Sequence, residues 1–379
     1  MKIVLIGNYK PDGQESMERF AQMLYAGFKR KGLACEIWRP HVYFGKLTSD
    51  TTKGYGKWLG YIDKWMLFPI AIRIRLLKKQ YRQADIRFHI GDHSNAPYLA
   101  HLPKYKSGIT CHDVLAIRGA LGYADAYCPA SAMGKVLQKW ILRNLLKSKH
   151  IALVSGKTKM QLMELANNKK DNDQHWEIIL NAFNADFYKT DKATTASLLG
   201  ESGIDANTPY LLHVGSDLPR KNRKLLLEMV HQLNGSWKGK ICYAGYPLEQ
   251  ELVSLADSLQ LSDRIISVKQ PSHQQLLALY SQCEAFVFPS FSEGFGWPVI
   301  EAQACGAPVI ASNIEPMPEV SGGAAIHAAP ANANEFAAGF LQLQNEAIRE
   351  KLIEQGYENA KRFDPDVMIA AYCRLYKIA

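Results

Sequence analysis

The stretch VFPSFSEGFGWPVIEAQACGAPVIAS, residues 287–312, decides the fold. Its apolar opening reads as a buried strand ending at Pro289. A loop carrying Glu293, Gly294, Phe295 and Gly296 follows, and PVIAS reads as a second buried strand. Between them lies a helical stretch with Pro298 in its first turn, where a proline gives up only an N–H that the helix leaves unbonded. Strand, helix and strand in so short a span make a βαβ unit, and such a unit implies a parallel sheet. The glycines at 294 and 296 permit close backbone approach, and the free N–H groups at a helix start favour an anionic ligand. Glu293 in the loop and Glu301 inside the helix stand eight residues apart. That separation suits two hydroxyl-bearing parts of one ligand better than a proton shared between adjacent acids.

The same rhythm extends in both directions. Upstream, PYLLHVG, KICYAG and RIISV alternate with helical stretches at Asn222–Leu233, Glu249–Gln260 and Gln274–Gln282. Nearer the N-terminus, KIVLIG, DIRFHIG, SGITCH and HIALVS alternate with Ser16–Lys31 and Met133–Lys147, and EIILNAF closes this first series. The fold class is therefore α/β, with two tandem doubly wound Rossmann-like domains facing a central cleft. The polar, helix-poor NADFYKTDKATTA marks the join, giving domains at 1–190 and 191–362, and a C-terminal helix at 363–379 returns to the first. Ligands of open parallel sheets bind beyond the carboxyl ends of the strands. The loops to inspect are therefore 7–14, 90–95, 111–114, 215–222, 245–247 and 290–297.

Composition excludes other classes. The chain has 379 residues, 45 Lys and Arg against 36 Asp and Glu, and a formal charge of +9. Residues 1–190 hold 30 basic and 15 acidic side chains, a net of +15. The remaining 15 basic and 21 acidic side chains leave −6 for residues 191–379. With the cations in one half and no nucleic-acid-binding motif, nucleic acid is not expected as a partner. No uninterrupted apolar run of about 20 residues spans a bilayer, since Asp63, Lys64, Pro69, Arg73 and Arg75 break the longest candidate. The seven cysteines show no CxxC spacing and read as packed, reduced thiols of a cytoplasmic protein.

Glu293, the GFG, Pro298, Glu301, the ACG of 304–306 and PVIAS resemble the signature of the retaining, nucleotide-sugar-dependent glycosyltransferases of family four, which have the GT-B fold. Other segments resemble that family in order: ITCHD at 109–113, VSGKTKMQL at 154–162, IILNAFN at 178–184, HVGSDLPRKN at 213–222 and SHQQLLALYSQCEAFVFPS. The resemblance implies transfer of a hexosyl unit from a UDP- or GDP-linked donor to a glycan or lipid-linked glycan, with retention and by a front-face route. It makes His112 and Glu293 the catalytic residues. Glu293, with the amides of Gly294, Phe295 and Gly296, would meet the sugar hydroxyls, Glu301 the ribose, and His112 the sugar near its primary hydroxyl. Arg220 and Lys221 would neutralise the diphosphate, and Gly13 would let the backbone approach it. Physical reasoning agrees for the cations: a leaving diphosphate gains charge as the glycosidic bond breaks, and fixed cations stabilise that state. No metal and no cofactor besides the donor substrate is then required.

Three departures from the family pattern stand out. Ser216 replaces the usual Arg after the loop glycine, Asn181–Asn184 replaces the usual joint, and the first loop has a single glycine. Asp92, His93 and Asp113 are expected on the acceptor side. His89 and His93 have metal-pair spacing only on a helix, and their context reads as strand and loop. The basic amphipathic stretches 57–82 and 135–149 interleave Trp58, Trp65, Phe68 and Trp140 with Lys and Arg. They read equally as sheet-covering helices or as a peripheral contact with the inner face of an anionic membrane. Rival readings are a nucleotide-sugar epimerase, a glycogen-synthase-like polymerase, and a metal-dependent hydrolase using His89, Asp92, His93 and His112.

Overall fold

The computed structural model describes residues 1–233 and 235–378. The chain divides into two compact units: Met1–Asn184 together with the segment from Pro365 onward, and Ala185–Asp364.

The first unit holds β1 (Lys2–Ile6), β2 (Ala34–Trp38), β3 (Ile86–Ile90), β4 (Ser107–Cys111), β5 (His150–Leu153) and β6 (His175–Ile178), all parallel in the order β2-β1-β3-β4-β5-β6. Central strands of such a sheet are covered on both faces, so β1 is a nearly continuous apolar run and β4 is buried at every residue. Helix Glu15–Arg30 turns Phe20, Leu24 and Phe28 inward. Gly27 lies where the returning helix Pro365–Leu375 inserts Ile369, and a Cβ there would overlap that side chain. A buried hydrogen-bond chain ties the returning helix to the sheet. Tyr376 Oη lies 2.6 Å from His89 Nδ1, His89 Nε2 lies 2.8 Å from Thr110 Oγ1, and Thr110 Oγ1 lies 2.7 Å from Tyr372 Oη.

The second unit holds β7 (Tyr210–Gly215), β8 (Lys240–Gly245), β9 (Ile265–Lys269), β10 (Ala285–Phe288), β11 (Val309–Ser312) and β12 (Ile326–Ala328), again parallel, in the order β12-β11-β10-β7-β8-β9. Its core runs through Leu211, Leu226, Ile241, Val287 and Ile310 to Phe336 and Phe340 on the covering helix Ala333–Gln342. In each sheet one pair of neighbouring strands marks where the connections change direction: β1 and β3 in the first unit, β7 and β10 in the second. Crevices at such switch points are where open α/β sheets bind ligands.

Several elements lie outside the sequence reading. Edge strands β2 and β12, and helices Ala333–Gln342 and Glu346–Ala360, were not anticipated. The supposedly helix-poor NADFYKTDKATTA runs into helix Lys192–Glu201, started by the Asp191 side chain accepting from the Thr194 N–H. Five of the seven cysteines are buried, but Cys128 is exposed.

Candidate active site

In the second unit, β10 ends at Pro289 and the chain turns through Ser290–Gly296 into helix Trp297–Ala304. Gly296 takes φ 101°, a region that disfavours side chains, and a Cβ there would overlap Met317 Cε. Across the switch point, β7 leads through Ser216 into the tight turn Pro219–Lys221, ended by Asn222 at φ 53°. The two loops are stitched together. The Phe291 N–H donates to the Arg220 carbonyl at 2.8 Å, the Arg220 guanidinium donates to the Ser292 carbonyl at 2.9 Å, and the Asn222 amide donates to the carbonyls of Pro289 at 3.3 Å and Pro330 at 2.6 Å.

This stitching sets three charges together. Glu293 Oε2 lies 2.7 Å from Arg220 Nη1, and Glu293 Oε1 lies 2.7 Å from Lys221 Nζ. Lys221 Nζ also sits 5.0 Å from the centre of the Phe288 ring. Burial would raise the Glu293 carboxyl, but the charges of Lys221 and Arg220 outweigh it and hold the group below the usual carboxylate range. Burial acts the opposite way on the Lys221 ammonium, lowering it against the pull of Glu293. Two cations thus face Glu293, with Glu301 also acting on Lys221, and they stand together where an anion would be stabilised. Glu301 is buried inside the helix and accepts from the Tyr280 hydroxyl at 3.0 Å.

Sequence reasoning missed two groups here. Among the described residues, His213 Nε2 and Ser290 Oγ are buried without a hydrogen-bond partner. His213 Nδ1 lies 3.1 Å from the Val287 carbonyl, which can only accept, so Nδ1 carries the proton and Nε2 is an acceptor. Burial brings its imidazole down to about 3. A Cβ on Gly215 would stand 3.2 Å from that Nε2, so the glycine keeps the acceptor uncovered. The HVG ending of β7 was the available signal.

In the first unit, the β1 and β3 exits build a polar cluster. Asn8 donates to Gln14 and, at 2.7 Å, to Asp92 Oδ2. Asn95 donates to Asn8 at 2.8 Å, and Ser94 donates to Asp92 through its N–H at 2.9 Å and its hydroxyl at 2.6 Å. His93 Nδ1 lies 3.4 Å from Asp92. Burial would raise the Asp92 carboxyl, yet the His93 and His112 rings and the Ser94 hydrogen bonds hold it below its ordinary range. His112 Nε2 lies 2.9 Å from the Gly91 carbonyl, with its ring edge-on to Phe20, and burial lowers its pKa. Asp113 accepts from the N–H of Leu115, the first residue of helix Leu115–Leu121, at 2.9 Å. Gly13 takes φ 65° with nothing within 4 Å of where a Cβ would be, and beside it a cavity of about 440 Å³ is lined by Asn8, Lys10, Gln14 and Glu18 among others. The His89 ring is committed at both nitrogens within the chain described above, which leaves it no lone pair for a metal. Thus Gly13, Asp92, His93, His112 and Asp113 gather in one unit, and Arg220, Lys221, Glu293, Gly294, Phe295, Gly296 and Glu301 in the other.

The chain is similar to known glycosyltransferases. The O-antigen chain mannosyltransferase B of Escherichia coli is 26% identical over 337 residues, covering 87% of this chain and 85% of that protein. The O-antigen chain mannosyltransferase RfbU of Salmonella typhimurium is 28% identical over 224 residues, 59% of this chain and 56% of the other. Among solved structures, sucrose-phosphate synthase from Thermosynechococcus elongatus superposes with a TM-score of 0.75 at 19% identity, covering 100% of this chain and 98% of its own. The Anabaena protein Alr3699/HepE, solved with UDP-glucose, gives 0.69 at 16% identity with 99% of both chains covered. At such identities the structures establish the fold, which is that of GT-B glycosyltransferases. Residues 197–359, which carry the Arg220, Lys221 and Glu293 cluster, match the family model for glycosyl transferases group 1, so this stretch of the chain belongs to that group of glycosyltransferases.

Proposed function

We propose that the chain transfers a hexosyl group, mannosyl on the precedent of its relatives, from a UDP- or GDP-linked donor to a glycan or lipid-linked glycan, with retention and without a metal. The observation that carries this reading is the Glu293 carboxylate held between Arg220 and Lys221 at a switch-point crevice. The paired cations suit a diphosphate, and charge that builds on the leaving group is stabilised where they already stand. Glu293 is weakly basic in this setting and makes a poor nucleophile, which favours a front-face route in which the departing phosphate takes the acceptor proton. Glu301 is assigned to the ribose, and His112 keeps the sugar contact that the resemblance implies. The unpartnered His213 Nε2 and Ser290 Oγ are acceptors or donors that a bound donor substrate would satisfy.

A thermal-shift panel of UDP, GDP and ADP with their sugars tests the proposal. One nucleotide at about 100 times its Kd should raise Tm by about 5–10 °C. Glu301→Ala should remove that rise. The reading fails when no nucleotide shifts the transition or when Glu301→Ala leaves the shift intact.

The reading includes peripheral contact with an anionic membrane. Helices Gly54–Ile62 and Phe68–Leu76, joined by a π-helical turn at Asp63–Leu67, expose Tyr55, Trp58, Met66, Ile70, Ile74 and Leu77. Spread over a helical path of about 33 Å, these side chains alternate with Lys57, Arg73 and Lys78. Trp65 packs on Trp140 at 5.2 Å, joining this stripe to the exposed Met133 and Val136 of helix Ala132–Leu145. No described helix is long and apolar enough to cross a membrane. Reversing the charges of Arg73, Arg75, Lys78 and Lys79 together should reduce co-sedimentation with phosphatidylglycerol vesicles at least tenfold, about 1 kcal/mol being expected per basic side chain. Unchanged sedimentation would count against membrane contact.

A further inference from the structure

Two cavities of the first unit meet at His41. One, of about 510 Å³, is an apolar trough between Tyr43 and Phe44 on one side and Leu67, Phe68, Ile70, Ala71 and Ile74 on the other. The second, of about 360 Å³, is lined by Lys10, Arg39 and Arg75 with Ile37, Pro40 and Val42, and no acidic residue lines it. Its cations are only partly compensated. Arg39 is paired with Glu18 at 2.5 Å, whereas among the described residues Lys10 and Arg75 form no salt bridge, and Arg75 instead lies 5.0 Å from the Trp38 ring.

The trough is preformed. Asp63 is fully buried in the π-helical turn, and its carboxylate accepts from the N–H groups of Tyr43, Phe44 and Gly45 at 3.0–3.1 Å and from the Tyr9 hydroxyl at 2.7 Å. These four bonds fix one wall against the helix that supplies the other. The helix wall includes Ile70 and Ile74, which also belong to the exposed apolar stripe, so the trough opens onto the surface assigned to the membrane.

We infer that this pair of cavities binds the lipid end of the acceptor, an isoprenoid or similar hydrocarbon chain in the trough with its phosphate against Lys10, Arg39 and Arg75. Charge complementarity selects this occupant: a neutral lipid leaves the cationic cavity unused, and a free sugar phosphate leaves the apolar trough in water. The inference rests on the transferase reading and specifies its acceptor.

Farnesyl phosphate, below its aggregation limit and without vesicles, is the probe, with farnesol and inorganic phosphate as the separate parts. Calorimetry should show farnesyl phosphate binding at least tenfold more tightly than either part. Ile74→Asp and Arg75→Glu, both at solvent-accessible positions, should each weaken it at least tenfold while leaving UDP or GDP binding unchanged. Farnesyl phosphate binding no tighter than its parts, or at wild-type strength to both variants, overturns the inference. Measured on the same samples, nucleotide binding without any farnesyl phosphate response sinks only the lipid site. Absence of nucleotide binding sinks the transferase reading instead.

Discussion

Glu293→Gln should cut kcat/KM for sugar transfer by a factor on the order of 10³, with the unit Ala185–Asp364 losing about 3–5 kcal/mol of stability. Both effects come from one geometry. The carboxylate sits 2.7 Å from Arg220 and from Lys221, and only 12% of the Lys221 side chain is exposed. Removing the negative charge leaves two cations side by side in a poorly solvated crevice, with the Phe288 ring and the charge of Glu301 still acting on Lys221. A nucleoside diphosphate brings back the missing anion. It should therefore raise the Tm of Glu293→Gln by more than it raises that of the native protein, even as turnover is lost. This opposite movement separates a site residue from one that merely holds the fold, because a structural defect would lower binding and stability together. Glu293→Gln retaining activity within threefold would remove Glu293 from the mechanism, and equal ligand-induced shifts in both proteins would remove the anion from the account of its ion pairs.

The members of this cluster were legible in the sequence, but their mutual arrangement was not. Glu293 announces itself through Gly296, Pro298 and the apolar runs on either side, because a strand, a glycine turn and a proline-started helix each constrain the backbone locally. Arg220 and Lys221 also follow a strand end and a proline. That all three charges share one point depends on β7 lying beside β10, a pairing of Leu212 with Phe286 across a long stretch of intervening chain. No local periodicity encodes it. His213 was passed over for a related reason: a histidine in an apolar strand looks like a packed residue until its neighbours fail to supply a partner for Nε2. The elements missed outright are those whose burial is weakest. β2 alternates exposed, buried and half-buried residues at a sheet edge, and β12 is only Ile326–Ala328. The helix Lys192–Glu201 buries just Thr195 and Leu199, so its sequence carries almost no apolar stripe and its start depends on Asp191. The trough beside His41 is likewise invisible along the chain, since its walls are drawn together by a buried aspartate that bonds to backbone rather than to a recognisable motif.

Lowering the pH from 7.5 to 5.0 should destabilise each unit by at least about 2 kcal/mol through buried histidines. In the first unit the chief one is His89, between Tyr376 and Thr110, joined by His112 and His150, which burial also lowers, and in the second it is His213, between the Val287 carbonyl and Gly215. Burial brings the imidazoles of His89 and His213 from 6.5 down to about 3. Between those two values the unfolded chain binds a proton that the folded chain refuses. Stability is therefore complete above pH 6.5 and falls as the pH drops toward 3. The carboxylates Glu293, Asp92 and Asp63 are also held below their ordinary range. Their contributions have the same sign but begin to disappear only below about pH 4.5, where the unfolded groups start to protonate. The interval from 6.5 to 5.0 thus isolates the histidines. Urea midpoints at the two pH values, read for each unit, give the measurement. His89→Gln should reduce the dependence of the first unit by about 2 kcal/mol and His213→Gln should flatten that of the second, whatever either variant does to stability at pH 7.5. Because glutamine can still offer a donor and an acceptor at these positions but does not titrate, an undiminished pH dependence in either variant would mean that its histidine is protonated in the folded protein.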